Sequence, residues 1–195
     1  MKNLINKRFT FLDLAKESGA SMETYNLFKD THNLLRRASP LTIKSGRTNY
    51  IFFQDAICAL SNGHFINGGQ GKGRPDFYYK NCWCETKAFE KDTMATDYSF
   101  HVAASSFFAN NCKAVPHKKL IKEGKAAKAK RFLFEHSYSK NEFYLLTSTA
   151  KLNCSFEEVE MMFITVDVLK KCLSKEKDFK EVSMEKLQKM VAQYE

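Results

Sequence analysis

At 195 residues and 44% hydrophobic content, the chain is the size of one domain with a real core. Its formal charge of +9 favours a polyanion such as nucleic acid, or an anionic membrane surface. No apolar run approaches the length of a membrane span, and residues 1–8 are too polar for a signal peptide. A cytoplasmic, unsecreted protein with no membrane partner is therefore expected. The six cysteines are scattered without a Cys-x-x-Cys pair, and the five histidines show no zinc spacing. Reduced thiols are the reading that spacing favours.

Residues 8–20 predict a short helix or an irregular arm. Residues 21–37 predict a helix opened by Ser21 and closed by Arg36 and Arg37, together giving an N-terminal helical portion over about 1–40. A second helix is expected over 49–61, burying Ile51, Phe52, Phe53, Ala56, Ile57, Ala59 and Leu60 and ending at Asn62-Gly63. The glycine-rich run from Gly68 to Gly73 reads as a flexible loop. It lacks the Lys-Ser/Thr of a nucleotide-binding loop and leads into a strand, so nucleotide binding is rejected.

Two short strands are expected around a turn near Lys80-Asn81. Further along, residues 98–112 predict a buried helix, 118–139 a basic helical stretch, and 142–149 and 161–166 two strands. Short helices follow over 168–173 and near the C-terminus. That order describes one mixed α/β (α+β) domain over 1–195, with a central mixed sheet flanked by helices.

The chemistry concentrates in the two strands around the turn. The first opens with Pro75-Asp76 and the second contains Glu85-Thr86-Lys87. Side chains alternate along a strand, so Glu85 and Lys87 share a face and Thr86 takes the other. With Asp76 opening the neighbouring strand, its carboxylate can lie beside Glu85. Two carboxylates to hold a divalent metal and one nearby lysine are the groups that phosphodiester cleavage needs.

Pro75-Asp76 followed by Glu85-Thr86-Lys87 resembles the PD-(D/E)xK nuclease superfamily, the fold of type II restriction endonucleases. The match covers about residues 50–90, where the order of helix, glycine-rich approach, Pro-Asp strand and Glu-x-Lys strand also agrees. The resemblance implies a restriction-endonuclease-like fold and a Mg²⁺-dependent endonuclease, with Mn²⁺ able to substitute. Asp76, Glu85 and the backbone carbonyl of Thr86 become the metal ligands, and Lys87 the group that orients or deprotonates the attacking water. The preceding helix in that family often offers an acidic residue. Here Gln54 stands at that place with Asp55 beside it, which departs from the commonest pattern.

The resemblance also implies a partner. Double-stranded DNA is the expected substrate, cut by a symmetric homodimer that repeats one site on both strands. A cognate DNA methyltransferase would protect host DNA. Lys72 and Arg74, just before the Pro-Asp strand, are placed to clamp phosphate near the cut. Lys118, Lys119 and Lys122 in the basic stretch, and Arg47 in the polar approach to the helix, are further phosphate contacts. His64, after Gly63, reads as a loop residue or an additional metal ligand. The alternatives are a structure-specific junction, repair or phage nuclease, a viral RNA endonuclease, and a non-catalytic DNA-binding subunit of the same fold.

Overall fold

The computed structural model describes residues 1–38, 46–69, 74–90, 93–94, 141–147, 155–174 and 184–194. A single-turn 3-10 helix at Lys2–Leu4 leads into β1 (Arg8–Thr10) and α1 (Phe11–Ser18). Thr10 and Asp13 start α1 as a capping box: Asp13 N–H donates to Thr10 Oγ1 and Thr10 N–H to Asp13 Oδ2. Gly19 ends it at φ 73°. α2 (Met22–Ala38) begins as its sequence predicts, with Thr24 N–H donating to Ser21 Oγ at 3.1 Å. α3 (Gly46–Leu60) starts three residues earlier than the apolar pattern alone indicates. Its polar first turn, Gly46 to Asn49, has no apolar periodicity to mark it.

The strands β2 (Phe65–Asn67), β3 (Phe77–Tyr79), β4 (Cys82–Glu90), β5 (Thr93–Met94), β6 (Asn141–Thr147) and β7 (Glu160–Thr165) follow. A 3-10 turn at Phe156–Glu158 precedes β7. α4 (Val166–Ser174) and α5 (Met184–Val191) complete the described elements. The main sheet has the order β1-β7-β6-β4-β3-β2, with β5 pairing the end of β4. β4 and β6 are parallel and every other pair is antiparallel, so the sheet is mixed and the fold is α+β.

Two segments differ from the sequence reading. Residues 8–10 form an edge strand against β7, so the N-terminal portion is not wholly helical. Three residues give too short a run for alternation to show. Phe65–Asn67, likewise short, supplies the other edge of the sheet. The expected helices over 98–112 and 118–139 lie outside the described residues.

One core underlies the sheet and α3. Phe53, Ala56, Ile57 and Leu60 of α3 join Phe65, Phe77, Tyr79, Cys84, Leu145 and Phe163 in it. The rings of Phe65, Phe77, Tyr79, Phe143 and Phe163 meet at centroid separations of 4.7 to 5.7 Å. Such contacts add to the area they bury and fix the rings' relative orientation. Among the described residues no helix is long and apolar enough to cross a membrane.

A second aromatic cluster encloses a histidine. Phe11 stacks on Phe156 at 4.2 Å, and His32 of α2 lies 5.3 Å from Phe53 and 5.6 Å from Phe52, ring to ring. His32 is buried, and its Nδ1 has no hydrogen-bond partner. Burial, with the Arg36 cation adding to it and Glu157 opposing, pushes the imidazole pKa from 6.5 down to about 4. The fold thus holds neutral His32. Its stability is intact above pH 6.5 and falls as pH drops toward 4, because the unfolded chain takes up the proton first. Urea unfolding is expected to show a loss on the order of 2 kcal/mol between pH 7 and 4.5 from this group. His32→Phe should remove that component of the slope.

Candidate metal and phosphodiester site

The β3–β4 hairpin turns at Lys80-Asn81, both left-handed with φ 50° and 67°. That is the geometry a two-residue hairpin requires. It fixes the register Tyr79↔Cys82, Tyr78↔Trp83 and Phe77↔Cys84. Extending the register by one residue sets Asp76 opposite Glu85. Cys84 and Thr86 occupy the core face, 0% and 3% exposed, together with Phe77 and Tyr79. Glu85 is on the other face with Trp83 and is 5% exposed. The alternation assigns position 87 to the face of Glu85; the Lys87 side chain lies outside the described residues.

Asp76 stands just before β3 and is half-buried. Its Oδ2 accepts two hydrogen bonds from Thr86, one from the backbone N–H at 2.8 Å and one from Oγ1 at 2.9 Å. The sequence reading has this carboxylate beside Glu85; its hydrogen bonds go instead to the next residue. Rungs carrying both hydrogen bonds alternate from Tyr79/Cys82 through Phe77/Cys84 to Pro75/Thr86. At that rung Pro75 has no N–H to offer the Thr86 carbonyl, and Asp76 Oδ2 accepts Thr86 N–H. No hydrogen bond from the described residues reaches Asp76 Oδ1.

Gly68 holds this corner in place. Its N–H donates to the Asp76 carbonyl at 2.9 Å. A Cβ on Gly68 would stand 1.9 Å from the Pro75 carbonyl oxygen, so only glycine permits this approach. Gly68 and Gly69 therefore begin a tied connection, where the sequence reads a flexible loop. Arg74 is exposed and folds back over Gly69, its Nη1 3.2 Å from where a Gly69 Cβ would be.

α3 lies along the same corner. Phe53, Ala56, Ile57 and Leu60 face the core, while Asp55 is exposed and Gln54 half-buried. Gln54, Cys58 and Ser61 share one flank of the helix. Ser61 Oγ accepts from Phe65 N–H at 2.9 Å. The Cys58 thiol is pushed up to about 11 by burial and by the Asp55 carboxylate, against a hydrogen bond with the Asn67 backbone. Cys58 thus lies at Asn67, next to Gly68. Gln54 stands one turn before Cys58 on the same flank. The exposed His64 is at the other end of β2. It precedes Phe65, which pairs with Tyr79 beside the turn, and the three residues of β2 separate it from Gly68, about 13 Å along the strand.

The remaining sequence candidates divide in two. Arg47 belongs to the first turn of α3 and not to a preceding loop; its side chain lies outside the described residues. Lys72, Lys118, Lys119 and Lys122 are also outside them. Among the described residues no cluster of three acidic, histidine or cysteine side chains forms a ready metal cage. Asp76 Oδ1, which accepts no hydrogen bond from the described residues, is a hard oxygen donor of the kind Mg²⁺ uses. That ion takes one or two protein carboxylates and fills the rest of its octahedron with water and substrate phosphate. Cys58, Cys82, Cys84 and Cys172 are not joined in disulfides. No known protein family, curated protein or solved structure matches this chain.

Proposed function

We propose that the chain is a Mg²⁺-dependent DNA endonuclease with a restriction-endonuclease-like fold, cutting at specific sites as a homodimer. One observation supports this above the others: the β3–β4 register, carried one residue past its last pair Phe77↔Cys84, would bring Asp76 level with Glu85, with Lys87 two positions further on. α3, the tied glycine approach and the two motif strands also follow one another in the order the resemblance requires. The charge of +9 suits a phosphate-backbone partner.

Asp76 Oδ1, the Glu85 carboxylate and the Thr86 carbonyl are the atoms assigned to hold Mg²⁺ (or Mn²⁺). When bound, the ion supplies charge compensation to the scissile phosphate and acidifies the attacking water. The chain's own residues do the rest. Gln54 offers a neutral amide where a further carboxylate would raise the negative charge facing DNA. Lys87 orients the water, relieves it of a proton and balances the charge that builds on the phosphate. Arg74 draws the backbone toward the hairpin.

Lys87→Ala separates these roles. It is expected to leave Mn²⁺ affinity within about twofold while lowering single-turnover cleavage by roughly a hundredfold or more. Equal losses in binding and cleavage would assign Lys87 to metal retention. Unchanged cleavage would remove it from the site.

A further inference from the structure

From the two hydrogen bonds on Asp76 Oδ2, we infer that the Thr86 hydroxyl is a positioning residue that holds Asp76 as a single-oxygen metal ligand. The inference rests on the metal-site reading above and adds a role to a side chain the motif leaves unspecified. Thr86 is on the core face of β4, 3% exposed, so its side chain is not aimed at a substrate. Its Oγ1 and backbone N–H nevertheless both donate to Asp76 Oδ2, at 2.9 and 2.8 Å.

Two donors on one oxygen have two consequences. They occupy the lone pairs of Oδ2, so that oxygen is spent within the sheet and Oδ1 is left as the ligand. They also fix the torsion of the carboxylate, because the donors come from one rigid strand residue. Asp76 itself is not within a regular strand, and its carbonyl accepts from Gly68 N–H at 2.9 Å. Without Oγ1 the carboxylate keeps a single donor and can rotate about it. Monodentate presentation suits a small octahedral ion; a carboxylate free to chelate suits a larger one. Partners that orient a ligand typically contribute ten- to a hundredfold to metal affinity.

Thr86→Val and Thr86→Ser test this directly. Valine keeps the shape and removes the hydroxyl; serine keeps the hydroxyl. Mn²⁺ affinity of the full chain, read by electron paramagnetic resonance, is expected to fall by about tenfold in Thr86→Val and to return to within about twofold of the parent in Thr86→Ser. Thermal unfolding should match across the three proteins. Asp76→Asn is measured beside them. If Asp76→Asn abolishes Mn²⁺ binding while Thr86→Val leaves it unchanged, the positioning role is overturned and the metal site stands. If Asp76→Asn leaves Mn²⁺ binding intact, the metal-site reading fails and the positioning role fails with it.

Discussion

Asp76→Asn is expected to lower cleavage on the order of a thousandfold, about 4 kcal/mol of transition-state stabilisation, while the fold persists. The substitution is chosen for its shape. Asparagine still presents an oxygen to Thr86 N–H and Oγ1, which now donate to Asp76 Oδ2 at 2.8 and 2.9 Å. What it removes is the negative charge and the open ligand oxygen. Circular dichroism and the unfolding midpoint should therefore stay near those of the parent. Isothermal titration with Mn²⁺ should show binding weakened beyond measurement. A variant that keeps full cleavage would displace Asp76 from the chemistry. One that unfolds would show that Asp76 is a structural brace for Thr86 and would move the test to Glu85→Gln.

Gly68→Ala is expected to be the most damaging small substitution in the described part of the hairpin region. The added Cβ would meet the Pro75 carbonyl oxygen at 1.9 Å and its carbon at 2.8 Å, and both are backbone atoms that no rotamer change can move. Strand β3 would have to shift at its first residues, at a cost of about 3 kcal/mol. The same shift breaks the Gly68 N–H bond to the Asp76 carbonyl and moves Asp76 with it. Stability and metal affinity should thus fall together. Gly63→Ala is the comparison. Gly63 is left-handed at φ 80° with nothing within 4 Å of an added Cβ, so it should cost only backbone strain, about 1 kcal/mol, and leave Mn²⁺ affinity unchanged. Equal unfolding losses in the two variants would remove the close approach at Gly68 as the cause.

The hairpin and the helix before it were legible because each carries a strong local signal. Lys80-Asn81 sits between two apolar runs at the spacing of a two-residue turn, and its left-handed φ values bear that out. α3 advertises itself through Phe53, Ala56, Ile57 and Leu60, all of them buried, whereas Ile51 and Ala59 of the expected apolar face are exposed. β6, β7 and α4 fall within one or two residues of their apolar patterns. β1 and β2 did not announce themselves, since three residues contain no period, and the partner of β1 is also distant in sequence. The parallel pairing of β4 with β6 is likewise set by tertiary packing and not by any local run.

At the candidate site the two-residue turn and the alternation of faces along β4 were legible, since both follow from Lys80-Asn81 and the strand period. The Thr86 contact to Asp76 was not legible: a side chain that accepts from the facing strand leaves no mark in the local pattern. The close approach at Gly68 was hidden among the other glycines of that run. His32 was invisible as a core residue. Its helix neighbours Thr31 and Asn33 are polar, and its cage comes from Phe52, Phe53 and Phe156.

Digestion of a large unmethylated duplex DNA with Mg²⁺ bears most directly on the proposed activity. The intact chain would be compared with the same reaction in EDTA and with Asp76→Asn. Discrete fragments from the intact chain that vanish in both controls are the predicted result, and their ends would give the target. Cleavage that survives Asp76→Asn, or an intact duplex in every lane, would contradict the assignment of this hairpin as a DNA-cutting site.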